Sequence, residues 1–340
     1  MPTSLAVKNE IAKFDRQAKA AFFNFFSVKK KAVLARFGPL FEVQPSTGPD
    51  EKYPFPRATP QLVEYSEGEV PVSQFSAETL TITNRLFGNS VAIGRTFFED
   101  IDRMPGARAQ YLQQVSGLGI RGANYVIKLM ADILLAEGIF SGTTAYDGNS
   151  LFDTGHSEGS NLFTGGSAVT TAQLTTEHNG AMDLFTAQKD PDGHDFLREE
   201  APNAVLLIVD PNELTAYQQF YRATIIPDVG GIAASVINVL APANANLLQG
   251  TTPNGQAATI VGWARFRAKN TTVMVDMSGE IPGPAPIIHQ ERIAPVLETV
   301  GVGDITSETF VIAEQSLWKV RMRGMLGIGN YNKIIKIDKT

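Results

Sequence analysis

At 340 residues the chain exceeds the usual size of one domain, so two or more lobes are expected. Its 43% hydrophobic and 19% charged residues describe a globular chain rather than a disordered one, and its 30 Gly and 19 Pro lack the strict period of a collagen. The absence of Cys excludes disulfides, thiolate metal sites and a cysteine nucleophile, and no apolar run reaches the ~18–20 residues of a membrane span.

Charge is unevenly spread along a chain whose net charge is −6. Residues 1–37 set Lys8, Lys13, Arg16, Lys19, Lys29, Lys30, Lys31 and Arg36 against Glu10 and Asp15, a local +6 that leaves −12 for the remainder. A basic arm on an acidic body is expected to lie on an acidic neighbour or to face a polyanion. The plainer alternative is a solvated surface helix. No zinc-finger, basic-zipper or helix-turn-helix pattern points to sequence-specific DNA binding. The apolar patch at 20–26 is interrupted by Asn24 and followed, not preceded, by the lysine run. That is not a secretory signal, so folding inside a cell is expected.

In chain order, Thr3-Ser4 can cap a helix running to about Phe26, with Leu5, Ile11, Ala12, Ala18, Phe22 and Phe26 on one stripe. It has few partners nearby in sequence and is expected to reach across to another element. Residues 38–60 contain Pro39, Pro45, Pro49, Pro54, Pro56 and Pro60, an extended, helix-free connector. Residues 61–98 have strand chemistry at 62–65, 70–75 and 79–83, then a turn at Phe87-Gly88-Asn89-Ser90 and a strand at 91–95. This reads as a long two-stranded excursion. An isolated hairpin is marginal in water, so it needs another surface to lie on.

From 107 to 137 the pattern is helical, roughly 45 Å at 1.5 Å per residue, with a seam of Val115, Leu118, Val126, Leu129 and Ile133 and a stop at Gly138. Gly117, Gly119 and Gly122 mark a kink or a close approach of neighbouring chains. Residues 141–167 form a loop rich in Gly, Ser and Asn. A helix at 171–188, a buried strand at 204–209, a helix opened by Asp210-Pro211 and strands at 260–268 and 272–277 make a mixed lobe. A proline-rich linker at 279–286 leads to a closing β segment at 296–300, 310–314 and 318–322.

Several patterns resemble catalytic motifs without their context. Gly117-Leu118-Gly119-Ile120-Arg121-Gly122 fits the dinucleotide fingerprint, but a polar helical stretch feeds it where a buried strand is required. Gly155-His156-Ser157-Glu158-Gly159 fits a nucleophile elbow, yet loop flanks it on both sides. Asp147, Asp153 and His156 could form a small metal or acid–base cluster, but such residues in a glycine-rich loop more often satisfy backbone donors. His178, His194 and His289 are isolated. No catalytic residue, cofactor or metal is expected.

The order of the segments is informative. A basic aromatic arm, a protruding β excursion, a long helix, an α/β lobe and a returning β segment make an α+β plan that resembles the HK97-like major capsid protein fold. More closely, the chain resembles the Mu-like prophage major head subunit family of tailed bacteriophages. Four stretches carry the likeness: 82–102 from Ile82-Thr83-Asn84-Arg85 to Ile101-Asp102, the motif Tyr146-Asp147-Gly148-Asn149-Ser150-Leu151-Phe152 with His156 behind it, the strand-to-helix turn Leu207-Ile208-Val209-Asp210-Pro211-Asn212-Glu213-Leu214, and 318–329 from Trp318-Lys319 to Ile328-Gly329. Two stretches depart from the family pattern: Tyr65-Ser66-Glu67-Gly68-Glu69 at the start of the excursion and Asn330-Tyr331 at the close.

The resemblance implies an N-terminal arm at 1–56, an extended E-loop at 57–95 lying over the adjacent subunit, a P-domain from 96–142 (with the spine helix) and 284–340, and an A-domain at 143–283. An axial loop is implied at 225–231 or 241–258. It implies a virion shell subunit, assembled in the host cytoplasm, that joins itself in pentamers and hexamers around packaged double-stranded DNA, held without sequence specificity. Portal, scaffold or protease, and decoration proteins are the other implied partners; no membrane is. Assembly contacts are expected from Phe22, Phe23, Phe25 and Phe26 on the arm and from Val70, Val72, Phe75, Leu80 and Ile82 on the E-loop. Tyr146, Asp147, Gly148, Phe152 and His156 are expected to form a structural loop. The alternatives are an encapsulin-like nanocompartment shell, a soluble hydrolase using the loop around His156, and an arm that lies on a membrane surface.

Overall fold

The computed structural model describes residues 4–56, 77–101, 106–189, 201–222, 248–251, 257–281, 283–300 and 314–340. Val70, Val72, Phe75, His194 and the loop at 225–231 lie outside them, as do most of 241–258 and of the strand expected at 310–314.

Helix α1 (Ser4–Phe37) lies against helix α3 (Ala107–Leu134). Val7, Ile11, Phe14, Ala18 and Phe22, three or four residues apart, form the buried stripe that periodicity demands of an amphipathic helix. The crossing is close at Gly119, where a Cβ would sit 2.8 Å from the Phe22 carbonyl oxygen. The glycine expected to mark a kink or a contact between chains therefore admits the chain's own arm. Short α2 (Arg95–Glu99) adds Phe97 and Phe98 to this core. The Phe14 ring meets Trp318 edge-on at 5.0 Å, and the indole Nε1 donates to Asp15 Oδ1 at 3.2 Å. Asp15 also receives Lys19 at 2.8 Å, so a carboxylate buried beneath the helix is paired on both oxygens.

Among the remaining described residues are two larger sheets. The first has the order β1-β10-β11-β4 and is built on the long antiparallel pair β10 (Ile287–Val300) and β11 (Gln315–Ile328). Strand β1 (Phe41–Pro45) runs parallel to β10, and β4 (Arg85–Gly94) runs antiparallel to β11. The second has the order β5-β12-β9-β6-β8-β7, formed by Leu162–Gly165, Ile334–Lys339, Thr271–Asp276, Ala204–Val209, Ala257–Gly262 and Leu248–Thr251 respectively. Strand β6 is central and reads as a continuous apolar run because both its faces are covered. Val205, Leu207 and Val209 meet helices α4 (Thr171–Ala187) and α5 (Leu214–Arg222), while Leu206 and Ile208 join the main core with Val261 and Val275. Thr170 caps α4, its side chain accepting from the Gln173 amide.

A separate two-stranded ribbon pairs β2 (Asp50–Pro56) with β3 (Ala77–Thr83). The excursion thus begins within the stretch expected to be arm, and β4, expected to belong to it, is a strand of the first sheet. Strand β12, assigned to the returning P-domain, pairs with β9 and β5 in the second sheet. The arm helix passes Phe26 by three turns, and a single 3-10 turn (Gly38–Leu40) interrupts the connector expected to be helix-free. Among the described residues no helix is long and apolar enough to cross a membrane.

Candidate functional site

Three features stand out: the outer face of α1, the β2–β3 ribbon, and the loop from Tyr146 to Glu158. On α1, Phe23, Phe25 and Val28 are 50%, 43% and 60% exposed. Exposed Lys29 and Lys31 follow them, and Lys30 reaches Glu291 at 3.8 Å. Phe26 is half-buried and stacks on Phe22 at 6.1 Å. Phe22 itself is sealed within the chain against α3, which corrects its reading as an assembly contact. The basic end of the helix docks on the second sheet, where Arg36 Nη2 donates to the Gly262 carbonyl at 2.8 Å and the Phe37 ring lies 4.6 Å from Trp263.

The ribbon is anchored at its base. Tyr53 donates to Gln290 Oε1 at 3.1 Å, and Gln290 Nε2 donates to the Ile82 carbonyl at 3.2 Å. Leu80 and Ile82 lie on Gly327, whose missing Cβ leaves room for Ile82 Cδ1. These two side chains, expected to contact a neighbouring subunit, face inward onto β11.

The loop places Tyr146 and His156 against the C-terminal turn (Tyr331–Lys333), with Asp147 joined to His156 and Phe152 packed on the main core. Gly148, at φ +85°, makes the bend that lets Asp147 Oδ1 accept from the Asn149 amide at 3.1 Å. Asp147 Oδ2 lies 2.6 Å from His156 Nδ1. Burial by itself would raise the Asp147 carboxyl, but the bonds from His156 and Asn149 outweigh it and hold the group below the ordinary range. The His156 ring stacks on Tyr331 at 3.8 Å, Tyr331 on Tyr146 at 5.0 Å, and Tyr146 on Phe55 at 4.6 Å. Tyr146 donates to Glu158 Oε2 at 2.7 Å, and Asn332 Nδ2 reaches the same carboxylate. Burial raises Glu158 above its usual range and, together with the Glu158 charge, raises the Tyr146 phenol. Four rings and one carboxylate therefore tie ribbon, loop and C-terminal turn into one block.

Phe55 and Asn332 carry no mark in the sequence, and Glu158 and Tyr331 appear there only within the elbow-like pattern and the divergent close. Only the spacing of the loop motif was readable, because its partners lie some 90 residues before it and 170 after it. The loop offers little to a substrate: the His156 side chain is fully buried, and among the described residues no hydrogen bond joins it to Ser157. Among the described residues no group of three His, Asp or Glu side chains could hold a metal ion.

This architecture is that of an HK97-like capsid protein. It is shared with the capsid of Cyanophage P-SCSP1u (TM-score 0.54, 14% identity, 89% of this chain and 88% of that one) and the mature capsid of bacteriophage PhiM1 (0.54, 10%, 89% and 86%). It is shared also with a virus-like particle from Pyrococcus furiosus (0.50, 10%, 95% and 98%), so fold alone does not separate phage heads from other shells. The family does: the profile of the Mu-like prophage major head subunit gpT matches residues 16–189, and the chain belongs to that family. It is a structural subunit of a phage capsid and part of the virion, and it self-assembles into the shell. No curated protein matches the chain in sequence.

Proposed function

We propose that the subunit closes into an icosahedral shell of pentamers and hexamers around double-stranded DNA, in concert with portal, scaffold or protease and decoration proteins, and that it catalyses no reaction. In this reading α1 is the arm, the β2–β3 ribbon is the base of the loop that reaches a neighbour, the first sheet with α3 is the peripheral domain and the second sheet is the axial one. The observation that carries it is apolar surface the chain leaves uncovered: Phe23, Phe25 and Val28 stand exposed on one helix beside a lysine run. Phe23 and Phe25, two positions apart, stand on opposite flanks of the helix, so they offer separate apolar contacts and not one continuous patch. Interfaces of modest strength, repeated around a closed shell, sum to a stable particle.

The test pairs Phe23→Ser with Phe25→Ser. Both side chains are outside the core, so the isolated subunit is expected to keep its stability to within about 0.5 kcal/mol. Sedimentation is expected to show particles for the natural chain and mainly free subunits for the double variant. Equal particle yield from both would remove α1 from the assembly contacts.

A further inference from the structure

Beside β4, helix α3 and the turn that follows β8 bound a cleft of about 560 Å³. Arg121 and Lys128 of α3 and Arg265 of the turn line it, and among the described residues no carboxylate does. Its apolar floor of Leu118, Val320 and Met322 is already buried by the chain's own side chains. What a ligand meets is the rim, where Arg121, Arg265, Asn89 and Asn124 are exposed beside Leu86, itself 62% exposed, with Phe87 and Tyr125 half-buried. Lys128 has a partner in Asp132 at 2.9 Å, but among the described residues no ion pair engages Arg121 or Arg265.

The charge extends beyond the cleft. Exposed Arg267 and Lys269 follow Arg265, with Glu137 pairing Lys269. A chain of net charge −6 has gathered cations from two separate elements here.

We propose that this face takes the phosphate backbone of duplex DNA without sequence preference, and that it is the side of the subunit turned to the inside of the shell. The proposal rests on the head-subunit reading. Guanidinium forks bind phosphate oxygens in bidentate fashion, the rim amides add neutral donors, and displaced counterions supply the driving force. An acidic protein segment is the other occupant such a rim could hold, and competition by polyglutamate separates the two.

The test measures binding of random-sequence duplex DNA to unassembled subunits by fluorescence anisotropy across a salt series. The natural chain is expected to bind at low salt with a steep negative slope of log K against log salt. Arg121→Gln with Arg265→Gln removes two phosphate contacts and is expected to flatten that slope by about 1.8. Lys52→Gln, on the ribbon, is expected to leave it unchanged. Closed empty shells are expected to bind far less than free subunits. No binding at low salt, a slope unchanged in the double variant, or competition by polyglutamate as strong as by DNA would overturn the site. Equal binding by shells and subunits would overturn the inward orientation. Electron microscopy of the same preparations keeps the readings distinct: subunits that bind DNA as described but never form shells contradict the head-subunit reading and leave the DNA contact standing.

Discussion

His289 sits in β10 between Val43 of β1 and Leu326 of β11, buried with the Phe41 ring 6.4 Å away. Burial, and then the Lys30 charge, lower its pKa from 6.5 to about 4. Between those values the unfolded chain takes up a proton that the folded chain refuses, so stability is full above about pH 6.5 and falls as pH drops toward 4. The loss approaches about 3 kcal/mol at the acid end of the window. His289→Leu is expected to remove that component, seen as a smaller difference between urea midpoints at pH 7 and pH 4.5; an unchanged difference would mean the residue does not titrate in this way. Phe55 ends the ring stack, and Phe55→Ala is expected to cost about 3–5 kcal/mol by the same urea measurement. At this scale the sequence was only partly readable. The Tyr146–His156 spacing was visible, but a stack joining Phe55, Tyr146, Tyr331 and His156 depends on contacts far apart in the chain. Phe22 and Ile82 show the converse error: apolar residues on a protruding element read alike whether they face a neighbour or the chain's own core.

At the scale of elements, Gly119 decides how α1 lies on α3. In Gly119→Ala the new Cβ meets the Phe22 carbonyl, a backbone atom that moves only with the helix. Alanine favours the isolated helix by about 1 kcal/mol, but the displaced crossing is expected to outweigh this. Hydrogen exchange is expected to show lost protection across Ser4–Phe37; unchanged protection would mean the crossing absorbs a methyl group. The long helices and β6 were legible because their periods are strong: the expected span at 107–137 compares with Ala107–Leu134, and that at 204–209 with Ala204–Val209. The arm was read too short because Lys29-Lys30-Lys31 hides the stripe that resumes at Val33 and Phe37. The first half of β10 was missed because Gln290-Glu291-Arg292 breaks the apolar pattern, although Gln290 is fully buried under the ribbon.

For the whole molecule, the segment order was a better guide than any single motif, since arm, ribbon, long helix and two sheets follow one another as the HK97-like plan requires. The boundaries between them were less readable, because neighbouring strands of a sheet can come from distant parts of a chain; β12 enters the second sheet from the C-terminal end between β5 and β9, while β4 joins the edge of the first from the excursion. Closure into a shell is a property of many copies. The measurement that bears on it most directly is negative-stain electron microscopy of the purified protein beside its sedimentation profile. Closed icosahedral particles, or pentamers and hexamers that convert into them, are expected. A discrete monomer or dimer at every salt and pH tried would contradict assembly as this chain's function.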